Sequence, residues 1–195
     1  MPPPMEPQPS LAVGELVVYG AHGVGRVADA RPAAEGGEEL VVLEFEEGLR
    51  VTLPVERARL SVRAVASEAE LRDVQRTLRG DGEASDSESW AKRFRSMQLK
   101  LAAGELIGVA EVVRDGIQRE REHGARAGSA LAPAQRILYL KARRLLAAEI
   151  AVALGIELTE AENWIGTQHS RLGSVGAFRT AAERCRARRL AKTNR

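Results

Sequence analysis

Cysteine is almost missing from this chain of 195 residues. The single Cys185 excludes an internal disulfide framework and a cysteine zinc cluster. It suits a reducing compartment. Aromatic residues make up only 4% of the chain, so Leu, Val and Ala must build the interior. No apolar run approaches bilayer-spanning length. The opening residues, Met1 to Pro9, lack the charged and apolar regions of a signal peptide. These absences lead to the expectation of a soluble, cytoplasmic protein. The three histidines, His22, His123 and His169, are scattered without ligand-like spacing, so no metal or other cofactor is expected. No Ser/His/Asp or Cys/His pairing presents itself for nucleophilic catalysis, which argues against an enzyme with a small-molecule substrate.

What is present is unevenly arranged. Hydrophobic residues reach 44%, enough for a packed core in one large or two small domains. The formal charge is +2, but residues 171–195 carry eight cations (Arg171, Arg179, Arg184, Arg186, Arg188, Arg189, Lys192, Arg195) against the single acid Glu183. That end holds +7 and leaves −5 for residues 1–170. Such an arm suits an acidic partner or a solvated tail. Residues 1–10 hold five of the eight prolines and read as a flexible leader.

From Leu11 to about Leu60 the pattern is β. Glu15–Tyr19, Arg26–Ala30, Leu40–Phe45 and Leu49–Leu53 read as short strands. Glycine-rich turns separate them, which indicates a small barrel or curled sheet. Gly20, Gly23 and Gly25 superficially resemble a phosphate loop, but no long helix and no Lys-Ser/Thr follow, so hairpin glycines are expected. After Ala66 the period changes from two to about 3.6. Ser67-Glu68-Ala69-Glu70 reads as a capping box opening a helix to about Leu78. A polar linker covers Arg79 to Glu88. Helices are predicted from about Trp90 to Ala102, Glu105 to Glu122 and Pro133 to Leu154, with Gly104 and Gly155 as stops. Thr159-Glu160-Ala161-Glu162 reads as a second capping box, starting a short helix with Trp164 packed in the core.

One stretch stands out: Ser89-Trp90-Ala91-Lys92-Arg93-Phe94-Arg95 places a tryptophan at a helix start, with three cations inside the next five residues. Cations hold phosphates and a flat ring can insert between bases. The plainer reading is an amphipathic helix with a buried indole. Arg136, Lys141, Arg143 and Arg144 either extend a phosphate track or form a solvated helix face, and Arg114-Asp115 reads as a structural salt bridge.

Several of these stretches resemble the CarD/CdnL family of bacterial transcription regulators. They are Val13-Gly14-Glu15-Leu16-Val17-Val18-Tyr19 with His22-Gly23-Val24-Gly25-Arg26-Val27, Leu49-Arg50-Val51-Thr52-Leu53-Pro54, and Trp90-Ala91-Lys92-Arg93-Phe94. Leu101-Ala102-Ala103-Gly104-Glu105-Leu106, Val109 to Asp115, and Lys141 to Leu146 with Glu149 and Ala151 continue the match in the family's order. The resemblance implies an α+β protein: a small Tudor/SH3-like β-barrel over residues 11–65 that docks on the β subunit of RNA polymerase, then an all-α helical bundle over 66–168 that binds promoter DNA. The leader 1–10 and the basic arm 169–195 flank them. It also implies that Trp90 wedges into the minor groove at the upstream edge of the melted bubble. Lys92, Arg93 and Arg95 would hold the backbone there, with Arg136 and Lys141 extending the track. Polymerase contact falls on Arg31, Arg50 and Thr52. Relatives usually carry a basic residue where Thr52 stands, and a proline where Gly20 stands. A monomer acting on promoter DNA, with no membrane contact, follows. The competing reading is a polymerase-binding adaptor without wedge activity, since the β module also resembles the docking module of the transcription-repair coupling factor. A free DNA-binding protein led by the basic arm is the third.

Overall fold

A computed structural model describes residues 9–31, 37–80, 89–124 and 131–168. Residues 1–8 of the leader, the linker core at 81–88 and the basic arm after 168 therefore lie outside the described residues. The chain divides into two compact units, Met1–Val65 and Ala66–Arg195.

The first unit is a five-stranded antiparallel sheet: β1 (Leu16–Tyr19), β2 (Gly23–Arg31), β3 (Leu40–Phe45), β4 (Arg50–Pro54) and β5 (Val62–Ala64), ordered β4-β3-β2-β1-β5. A short helix, α1 (Val55–Ser61), carries the chain from one edge strand to the other. Neither α1 nor β5 is legible in the sequence, because Pro54 reads as a strand end and three residues are too few to show alternation. The expected turn at residues 20–25 is shorter: a 3-10 turn covers Gly20–His22, and β2 already begins at Gly23. Gly20 and Gly23 take positive φ (41° and 79°), as hairpin glycines do. Gly25 has a different reason to be glycine: a Cβ there would lie 2.6 Å from the Phe45 ring. The inner face packs Val17, Val27, Val41, Leu43, Phe45 and Leu53, with Leu11 and Ala58 closing the cluster. Leu11 adopts left-handed φ of 56°. The Glu15 carboxylate fixes that entry by accepting bonds from Ser10 N, Ser10 Oγ and Ala12 N at 3.2, 2.6 and 3.0 Å.

The second unit is helical: α2 (Glu68–Arg79), α3 (Trp90–Ala103), α4 (Leu106–Gly124), α5 (Pro133–Leu154) and α6 (Leu158–Gln168). The Ser67 capping box forms as expected, with Glu70 N donating to Ser67 Oγ and Ser67 N donating to Glu70 Oε2. The second expected box does not form. Helix α6 starts one residue before Thr159, and Glu160 accepts the Glu157 amide at 3.2 Å instead. The core joins Leu71, Val74 and Leu78 of α2 to Val109, Val112 and Val113 of α4, Leu146 and Ile150 of α5, and Trp164 and Ile165 of α6. Trp164 is a core residue, as expected, although its buried Nε1 finds no acceptor among the described residues. Two polar groups tie the bundle: Glu149 accepts the Ala66 amide, and the Gln168 carbonyl accepts from Gln75 Nε2 (2.8 Å) and Arg79 Nε (3.0 Å). Arg114 Nη2 pairs with Asp115 at 2.8 Å, the structural role expected of them. Among the described residues no helix is long and apolar enough to cross a membrane.

Candidate functional site

Alternation along β2 breaks once. The register shifts between Val27 and Asp29, so Val27 pairs with Leu43 on the core side while Asp29 pairs with Val42 on the outer side. A bulge of this kind re-aims every side chain beyond it. Its effect is to turn Arg31 outward. On β4, Arg50 faces Glu44 and Thr52 faces Val42, again on the outer side. The structure thus brings Arg31, Arg50 and Thr52, which lie on two strands and are separated by up to 21 positions, onto one exposed face. Arg50 Nη2 sits 2.8 Å from Glu44 Oε1, and Arg31 Nε sits 2.8 Å from Asp29 Oδ2. The Arg31 hydrogen bond holds the Asp29 carboxyl below the usual carboxylate range. The two arginine side chains remain largely exposed and their carboxylate partners about half so, and these pairs orient the guanidinium groups while adding little stability. Arg26 belongs to the same row, opposite Glu44, and the sequence reading missed it. Only the strand register reveals that neighbour.

The second candidate surface is α3. Position 90 is its first helical residue, and the Trp90 side chain lies outside the described residues. Lys92 and Arg95 are exposed, and Arg93 and Phe94 are half-buried. Among the described side chains of α3, Leu101 alone is buried, near the far end of the helix from Trp90. A glycine cap and an ion pair tie that far end to α4. Gly104 caps the helix in the left-handed region (φ 68°), and a Cβ added at Gly108 would meet the Lys100 Cβ at 3.5 Å, an ordinary contact. Lys100 Nζ and Glu111 Oε2 pair at 2.9 Å across the hairpin.

The other end has the wrong charge for a helix start. A helix N-terminus carries partial positive charge and is stabilised by acids and by an N-cap side chain. Helix α3 has no acidic residue, its N-cap Ser89 makes no side-chain capping bond among the described residues, and Lys92, Arg93 and Arg95 load the first two turns with cations. By contrast, α2 has Glu68, Glu70 and a complete capping box. Local violations of helix chemistry tend to mark functional positions, and the amides of a helix N-terminus with cations beside them have the chemistry to bind an anion. Arg136 and Lys141 are exposed on α5, whereas Arg143 is half-buried with Nη1 3.5 Å from the Tyr139 hydroxyl. Among the described residues no three His, Cys, Asp or Glu side chains converge to hold a metal.

Two family comparisons bear on these surfaces. Residues 11–66 match the CarD-like/TRCF RID domain, and residues 73–166 match the CarD, C-terminal domain. A polymerase-interacting sheet followed by this helical domain defines a non-enzymatic transcription regulator that binds RNA polymerase. The chain belongs to the CarD/CdnL family.

Proposed function

We propose that the outer sheet face, through Arg31, Arg50 and Thr52 with Arg26 beside them, docks on the polymerase β subunit, and that α3 meets promoter DNA at the upstream edge of the bubble. Trp90 wedges into the minor groove there, while Lys92, Arg93 and Arg95 hold phosphates. Arg136 and Lys141 continue the track. The observation that supports this most is the acid-free, uncapped and cation-loaded start of α3.

Tethering makes weak intrinsic affinity sufficient, because docking raises the local concentration of the helical unit at the promoter. The wedge lengthens the life of the open complex only by the difference between its affinity for the bent, partly unstacked junction and for closed duplex. A difference of roughly 1.4 kcal/mol shifts that equilibrium about tenfold. Minor-groove contact distinguishes few sequences, so promoter selectivity comes from polymerase and from how readily each promoter melts. In this reading the protein acts as a monomer in the bacterial cytoplasm, on the nucleoid, with residues 11–65 and 66–168 as working domains. The basic arm from 169 onward adds general attraction to DNA.

The adaptor reading is separated by two variants of the full chain. Trp90→Ala is expected to bind polymerase normally and to shorten the open-complex lifetime. Arg50→Glu is expected to weaken polymerase binding, because it places an acid opposite Glu44 and inverts the face's charge. A Trp90→Ala protein that prolongs the open complex as well as wild type would leave the adaptor as the function.

A further inference from the structure

Helix α3 is attached to its unit near its C-terminal end. Leu101 is its one fully buried side chain among the described residues, and Met97 packs partly against the same cluster. Gly104 and Glu105 alone join it to α4. Lys100 stands at this pivot. Its carbonyl accepts the Gly104 amide at 3.2 Å, and its Nζ reaches Glu111 Oε2 on α4 at 2.9 Å. The support under Glu111 is firm, since its neighbours Val109, Ala110, Val112 and Val113 are all buried. The paired side chains are 36% and 34% exposed, so the pair adds little to stability. Its leverage is larger. Position 90 opens the helix ten positions before Lys100, about 15 Å away at 1.5 Å per residue. A tilt of about 10° at the pivot would carry it about 2.6 Å, most of the ~3.4 Å between successive bases of a strand.

We propose that Lys100 and Glu111 are positioning residues: their ion pair fixes the angle of α3 on α4 and so sets where the indole of Trp90 meets the promoter. The role rests on the proposed wedge and deepens it. A group that must enter one base step has to be held within about 0.5 Å and 10–20° of its working geometry, which a helix secured only near its far end needs help to reach. The pair acts through Trp90 and touches no nucleic acid. Charge gives this reading a distinctive sign. Removing an acid close to DNA would relieve repulsion from phosphates and lengthen the complex, whereas releasing α3 shortens it.

The test is a double-mutant cycle in the full chain, with polymerase holoenzyme on a linear promoter duplex and open-complex lifetime as the readout. Glu111→Gln should shorten the lifetime about twofold to fivefold, the size a partly exposed ion pair can transmit, with polymerase binding unchanged. In a Trp90→Ala background the same change should do nothing further, because residues acting through one contact are not additive. Lost folding would instead shorten the lifetime in both backgrounds. Reversing both charges, Lys100→Glu with Glu111→Lys, should restore most of the lifetime that Glu111→Lys alone loses. A wild-type or longer lifetime in Glu111→Gln, equal losses with and without Trp90, or a double reversal that rescues nothing would each overturn the positioning role. With Trp90→Ala still impaired, any of these results leaves the wedge standing. If Trp90→Ala itself keeps the wild-type lifetime, the wedge reading fails and the positioning role falls with it.

Discussion

Gly116 on α4 lies directly against the ring of Tyr139 on α5, and replacing it with alanine tests how the helical unit is held together. A Cβ at Gly116 would meet Tyr139 Cε2 and Cγ at 2.7 Å, and Cδ2 more closely still. Carbon atoms in contact prefer about 3.5–4.0 Å, so the ring or the helix must move by about an ångström. The ring has nowhere to go, because Tyr139 is 1% exposed and sits within the main cluster. Overpacking of this kind costs about 1–3 kcal/mol, occasionally more. Burial pushes the Tyr139 hydroxyl's pKa up, with Glu120 adding to the shift, so ionising the phenol offers no escape at neutral pH. Both tryptophans, Trp90 and Trp164, belong to the helical unit, so indole fluorescence during urea unfolding reports that unit alone. Gly116→Ala should lower its midpoint by the stated amount, and a Tyr139→Leu background should remove most of that loss as a coupling between the two sites. Polymerase binding, carried by the sheet unit, should survive in the same protein while the effect on promoter opening declines. An unchanged fluorescence midpoint would show that α4 and α5 are not pressed together at this point, and the packing argument would be wrong.

Acid should loosen the sheet unit as pH falls below the ordinary glutamate pKa, where Glu15 begins to lose its bonds to Ser10 and Ala12. Burial alone would raise the pKa of Glu15, but hydrogen bonds from Ser10 and from the Ala12, Ser10 and Leu11 backbone hold it below the ordinary glutamate value. A lowered carboxylate stabilises the folded state fully above its unfolded pKa of about 4.3 and loses that contribution as pH falls through its lower folded value. Amide signals of Val17 and Val27 followed by NMR from pH 6 downward, a range of about 3 units, should show this loss, and Glu15→Gln should flatten it; an identical acid profile in Glu15→Gln would refute the assignment. On the DNA side, Lys92→Ala and Arg95→Ala should each reduce the salt dependence of promoter-complex stabilisation by about one phosphate contact. Neither should change thermal stability appreciably, since both side chains are exposed, and a wild-type salt slope in both would remove them from the phosphate track.

The order of elements was legible because the period of the apolar pattern changes near Ala66, and because Ser67 and Glu70 mark a helix start that the structure realises bond for bond. Helix α1 and β5 escaped because their signal is short and follows a proline. The start of α6 was misplaced by one turn chemistry resembling another: two acids within reach of two amides, of which Glu160 with Glu157 forms the bond. At the candidate surfaces, Lys92 and Arg95 could be named from sequence because an exposed helix start needs no distant partner to be recognised. Arg26 could not, since its place beside Glu44 depends on the pairing of β2 with β3. The bulge near Ala28 was invisible for the same reason. A local pattern such as Val27-Ala28-Asp29-Ala30 does not reveal which residue is the extra one until the neighbouring strand fixes the register.

The most direct measurement places a photoreactive phenylalanine analogue at position 90 of the full chain and maps its crosslinks in a complex with polymerase and a promoter duplex. Crosslinks confined to the upstream boundary of the melted region, and dependent on polymerase, are the predicted result. Crosslinks only to protein, or to DNA without regard to polymerase, would contradict the claim that the sheet unit delivers an indole to that boundary.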